Sequence, residues 1–148
     1  MIKEDKILLL QDISARLPYG VKASYYGTEE EKECIDTIEG VNIIGNSIEI
    51  TIGQYGLPIE KVKPYLFPIS SMTLEQLREL QNLFPSGMYY GYDSNNNLYI
   101  SISDGHDDDC YYSSFLVIQD WLDSHHIDYR GLITRGLALD ATNKGIYE

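Results

Sequence analysis

The chain has 148 residues, of which 43% are hydrophobic and 23% charged, the composition of one globular domain over 1–148 and not of a disordered chain. Eleven basic residues against 23 acidic ones give a net charge of −12, which argues against gripping nucleic acid or an anionic membrane by bulk electrostatics. No run approaches the roughly 18 apolar residues of a bilayer span, and MIKEDKILLLQDI carries no signal-peptide pattern, so a cytoplasmic chain is expected.

Residues 4–17 read as a helix, with Leu10, Ile13 and Leu17 on one side and Glu4, Asp5, Asp12 and Arg16 on the other. Pro18 and Gly20 close it. Val21, Ala23 and Tyr25 then alternate with Lys22, Ser24 and Tyr26 as a strand. After the solvated turn Thr28–Lys32, residues 33–44 read as a second strand bulged at Gly40. Gly45-Asn46 is a two-residue hairpin turn, followed by a third strand with Ile48, Ile50 and Ile52 on one face. Pro58, Pro64 and Pro68 argue against regular structure over 53–70, although its apolar residues predict a segment packed down on the core. Thr73-Leu-Glu-Gln76 matches a capping box ahead of a helix with Leu77, Leu80 and Phe84 in a stripe. Tyr89–Tyr92 and Leu98–Ile102 flank an Asp/Asn turn as a hairpin. A last helix over about 110–126 carries Tyr111, Phe115, Ile118 and Leu122. The assembled expectation is α+β: an antiparallel sheet of about five strands, meander plus hairpin, with about three helices.

The densest run of chemistry is Asp104-Gly-His106-Asp-Asp108-Asp-Cys110. Carboxylates with a histidine can bind a divalent cation or move protons. Asp at this place also caps the helix that follows, and that reading is preferred. The alternative is an enzyme centred on Asp104, His106 and Asp108, with Arg130 or Arg135 holding an anionic substrate; otherwise those arginines pair with the chain's surplus acids or hold a turn. Asp93 to Asp104 has the span of a calcium loop, but Leu98 stands where that loop needs glycine. His125-His126 point about 100° apart on a helix and are poorly placed to share a metal. Cys34 and Cys110 form no CxxC motif and read as reduced thiols. No nucleotide, hydrolase or zinc-protease motif is present, so no cofactor or metal is expected.

Ala15-Arg-Leu-Pro-Tyr-Gly-Val21, Pro64-Tyr-Leu-Phe-Pro-Ile-Ser-Ser-Met-Thr73 and Asp120–Ile133 with Gly136-Leu-Ala-Leu139 resemble a group of small proteins encoded by gut bacteria and by their phages or integrated elements. The three blocks lie near the start, middle and end of the chain. The resemblance implies a mobile-element accessory protein and transfers no catalytic residue.

The charge, the thirteen tyrosines against three phenylalanines and the absence of a complete catalytic motif together predict a small acidic interaction protein with a protein partner, a basic one being the natural counterpart. Its candidate contact residues are Tyr25 and Tyr26 with Glu29, Glu30 and Glu31, and Tyr111 and Tyr112 beside the Asp107–Asp109 run. A third reading is a ligand or peptide site on the proline-rich 55–67 segment.

Overall fold

A computed structural model describes residues 1–27, 32–83, 88–102 and 108–148, with residues 102 and 108–114 described for their backbone only. The fold is α+β, and the chain divides into two compact units, 1–66 with 130–148, and 67–129. Each has its own buried apolar cluster.

In the first unit, helix α1 (Lys3–Arg16) carries Glu4 and Asp5 in its first turn and Arg16 in its last, as the helix dipole favours. Its buried stripe is Leu9, Asp12, Ile13 and Arg16, at i, i+3, i+4 and i+7. The face turned inward therefore includes the Asp12 and Arg16 that the sequence pattern places on the polar side. Leu10 and Leu17 flank it, partly buried. The charges are tolerated inside because they satisfy one another. A 3-10 turn, Leu17–Tyr19, follows with Pro18 in its first positions, and Gly20 at φ +67° ends it.

Strand β1 (Lys22–Tyr26) pairs antiparallel with β2 (Glu33–Thr37) on one side and, through Ala23 and Ser24, with β6 (Lys63–Pro68) on the other. The strand expected over 33–44 is two strands. Ile38 donates its N–H to Val21 of the first sheet at 2.9 Å, and Glu39 donates to Thr51 of the second at 2.9 Å, so the chain changes sheets at this step. Beyond it, β3 (Gly40–Ile44), β4 (Ser47–Ile52) and β5 (Tyr55–Pro58) form an antiparallel meander. The Ile44↔Ser47 pairing confirms the two-residue turn, with Gly45 at the φ of +60° that a tight hairpin requires.

The segment 53–70 is more regular than its prolines predict. It holds β5, a 3-10 turn (Ile59–Lys61), β6 and a second 3-10 turn (Ile69–Ser71). The prolines fall where a missing N–H costs little. Pro58 ends β5, the edge of its sheet, and Pro68 ends β6. Pro64 pairs with Ala23, but β10 (Leu139–Asp140) begins alongside β6 only at Tyr65, leaving β6 bordered on one side there. The same segment is packed down as expected: Leu57, Ile59, Val62 and Leu66 join Leu9, Ile13, Ile50, Leu132 and Leu137 in one core.

In the second unit, helix α2 (Leu74–Leu83) starts on a complete capping box. The Gln76 N–H donates to Thr73 Oγ1 at 3.2 Å, and the Thr73 N–H donates to Gln76 Oε1 at 2.9 Å. Leu77 and Leu80 are its buried face; Phe84 lies outside the described residues. Strands β7 (Met88–Tyr92) and β8 (Leu98–Ile102) form the expected hairpin. Helix α3 (Asp108–Ser124) buries Ile118, Trp121 and Leu122, whereas Phe115 is exposed. β9 (Ile127–Asp128) pairs in parallel with Phe67 and Pro68. Among the described residues ten strands form three sheets with two parallel pairings, where the sequence reading expected one antiparallel sheet of about five strands. The parallel partners, β9 and β10, are two residues each, too short to leave a pattern. Among the described residues no helix is long and apolar enough to cross a membrane.

Candidate functional site

Arg130 and Arg135 hold the C-terminal segment on α1. Arg16 Nε and Nη2 donate to the two carboxylate oxygens of Asp12, each at 2.9 Å, and Arg130 Nη1 donates to Asp12 Oδ1 at 3.0 Å. Asp12 and Arg16 are fully buried. Seven residues back on the same helix, Asp5 accepts from Arg135 Nη1 at 3.3 Å. Each arginine is followed by a glycine in the left-handed region, Gly131 at φ +73° and Gly136 at φ +72°, and then by a buried leucine, Leu132 or Leu137. The paired Arg-Gly-Leu motifs therefore do the same local work twice: one carboxylate clasped, one turn made, one core leucine inserted. This is the pairing with surplus acids expected of these arginines.

Of the remaining catalytic candidates, Asp104 and His106 lie outside the described residues, as does the Asp108 side chain. Asp93 accepts the N–H groups of Asn95 and Asn97 at 2.9 and 2.8 Å and the Asn97 side-chain amide at 3.2 Å. The backbone bond from Asn97, with its side-chain bond, holds this carboxyl below the usual carboxylate range. It holds the hairpin turn between the two strands, as the sequence reading expected. His125 stacks on the Trp121 ring at 3.8 Å, and its Nδ1 lies 2.9 Å from the Trp121 carbonyl. The Ser124 hydroxyl lies 3.0 Å from the same Nδ1. His126 is buried at φ +56°, and its carbonyl accepts from Phe67 N–H at 2.9 Å. The two histidines thus serve the fold differently, His125 through its ring and His126 through its backbone. Among the described residues no three His, Cys, Asp or Glu side chains gather as a metal site.

The contact candidates divide in the same way. Tyr25 is in the core of the first unit, its ring 6.1 Å from that of Tyr55, and burial pushes its hydroxyl above the usual phenol range. This corrects its assignment to a contact face. Tyr26, one residue on and on the opposite face of β1, is 58% exposed. Glu29, Glu30 and Glu31 lie outside the described residues, as do the side chains of Tyr111 and Tyr112.

The structure adds what surrounds Tyr26. Among the described residues β2 pairs only with β1 and is an edge of its sheet. Its register sets Glu33 opposite Tyr26 and Ile35 opposite Ser24, so these four side chains share one face. Ile35 is 47% exposed, and Glu33 and Asp36 are exposed on the same strand. The Ser24 hydroxyl donates to the Glu33 carboxylate. Residues 33–44 read as one bulged strand concealed this edge, although the alternation Glu33, Ile35, Thr37 was its visible trace.

A cavity of about 560 Å³ opens beside β1, walled by Tyr25, Tyr26, Leu57, Glu60, Lys61 and Lys63. Glu60 is ion-paired with Lys6, and the side-chain bond from that lysine holds its carboxyl below the usual range. The second unit has a smaller apolar cavity of about 170 Å³ among Ile69, Ile100, Ile118 and Leu122. At its rim Gln119 Nε2 donates to Tyr129 Oη at 2.9 Å, and the Tyr129 hydroxyl donates to Asp123 at 3.2 Å. No protein-family model, curated protein or solved structure matches the chain.

Proposed function

We propose that the protein is a small acidic accessory protein that binds a basic protein partner along the open edge of β2. One observation carries this reading. The edge strand presents a half-exposed Ile35 beside an exposed Tyr26, with Glu33 on the same face and Asp36 exposed on the other. Unpaired N–H and C=O groups at a sheet edge invite a further strand, and edges are ordinarily guarded by charged side chains, lysine above all, by proline or by a bulge. Over Glu33–Thr37 there is no lysine, proline or bulge, and the charges are acids, which turn away acidic strands and admit basic ones. Backbone pairing and the two apolar side chains supply affinity, and the carboxylates select and steer a basic segment. The run Glu29–Glu31, next to this strand in sequence, adds to that field. A cytoplasmic role in a mobile element is part of the proposal and rests on the sequence resemblance alone.

The test is capture of partners from the native host by wild type and by Ile35→Lys, at low salt and at several times that salt. Ile35 is outside the core, so the variant should keep the wild-type melting temperature. One basic protein, captured in a salt-sensitive way by wild type and lost with Ile35→Lys, is the expected result. Capture indifferent to both changes would leave the charge as a solubility feature. The acid–base enzyme reading draws no support from Arg130 and Arg135, which clasp Asp12 and Asp5.

A further inference from the structure

We infer that the 560 Å³ cavity beside β1 is a binding site for a small aromatic anion, a ring bearing a carboxylate or a phosphate group. The cavity is of the size that takes small ligands. Its charge is opposite to that of the molecule. In a chain of net charge −12, two ammonium groups, Lys61 and Lys63, stand on its wall. Among the described residues neither has an ion-pair partner, and Glu60, the carboxylate on the same wall, is paired with Lys6. Local attraction for an anion therefore survives.

The rest of the lining is Leu57, Tyr25, Tyr26 and Gly27, with Ser24, whose hydroxyl donates to the Glu33 carboxylate. Leu57 and Tyr25 are buried and Tyr26 is exposed. A flat ring laid against Tyr26 and over Leu57 gains stacking and area burial, while its anionic group meets the lysines. The ligand must be small. A polyanion would meet the repulsion of the whole acidic surface, whereas a single anionic group feels chiefly the charges within a Debye length of about 8–10 Å. A lysine ammonium is a point charge that accepts either headgroup, so the pair of lysines does not choose between carboxylate and phosphate. The site shares Tyr26 with the β2 edge, but neither lysine belongs to that strand, so loss of ligand binding in the double lysine variant and loss of partner capture with Ile35→Lys are separate outcomes.

Calorimetric titration with benzoate, phenyl phosphate and inorganic phosphate tests this. At least one aromatic anion should bind saturably, and the one that does identifies the headgroup. Inorganic phosphate should bind at least tenfold more weakly, because it has no ring. The double variant Lys61→Met with Lys63→Met should lose at least tenfold in affinity, and Tyr26→Ala should weaken binding while leaving the melting temperature unchanged. Both lysines and Tyr26 are exposed, so the fold does not depend on them. Absence of saturable binding by either aromatic anion up to millimolar concentration would overturn the proposal. So would binding equal to that of inorganic phosphate, or binding that the double lysine variant retains.

Discussion

Asp12 and Arg135 show how differently two ion pairs in one clasp are placed. Asp12 is fully buried and accepts from two arginines, so removing it leaves Arg16 charged inside the core. Asp12→Ala should therefore cost about 3–5 kcal/mol in denaturant unfolding. Arg135→Ala should cost less than about 1 kcal/mol, because that arginine is 55% exposed and its pair is screened by water. Equal losses would mean that the buried triad is not the point of attachment. Tyr147 supplies the clearest pH dependence. Its hydroxyl donates to the Tyr65 carbonyl at 2.6 Å and accepts from Lys22 N–H at 3.2 Å, and burial pushes its pKa up to about 12. A folded-state pKa above the unfolded value of 10.0 means stability present in full below pH ~10 and lost as pH rises through ~12. The advantage of wild type over Tyr147→Phe should thus shrink by on the order of 2 kcal/mol between pH 9 and pH 12. An advantage constant over that range would place the phenol in water.

Among the elements, α2 is the one whose start is fixed most locally. Both reciprocal bonds of its capping box are formed, so Thr73→Ala should cost about 1 kcal/mol in denaturant unfolding, and no change would put the helix start elsewhere. What was legible in the sequence is of this kind. The capping box, the Gly45-Asn46 turn, the Asp93 turn and the strands beside them are each written within a few residues. Elements decided by distant partners were not. The break at Ile38-Glu39 depends on Val21 and Thr51, and strand geometry at Pro64 depends on where β10 begins alongside β6. The rotation of α1 that buries Asp12 needed Arg130, which is far along the chain. The candidate contact face was half legible for the same reason: alternation placed Tyr26 outward, but only pairing showed that Ile35 stands next to it on an open edge.

At the scale of the whole chain, composition spoke for one domain, and nothing in hydrophobic content distinguishes one core of this size from two smaller ones. Two clusters exist because the segment 67–129 closes on itself, with Phe67 and Pro68 at its beginning paired to Ile127 and Asp128 near its end. The first unit is therefore discontinuous: its core includes Leu132, Leu137 and Ala138, which come after the whole of the second. On the ribosome this order matters. Chains are made N-terminus first, and a compact unit folds when its last contributor has emerged. The segment 67–129 has all its core residues as soon as Tyr129 leaves the exit tunnel, although it is the later of the two to begin. The opening 66 residues must wait through that time with Leu9, Ile13, Ile50 and Ile52 uncovered. The nascent protein passes through a stage in which its younger part is finished and its older part is still in need of protection from neighbours.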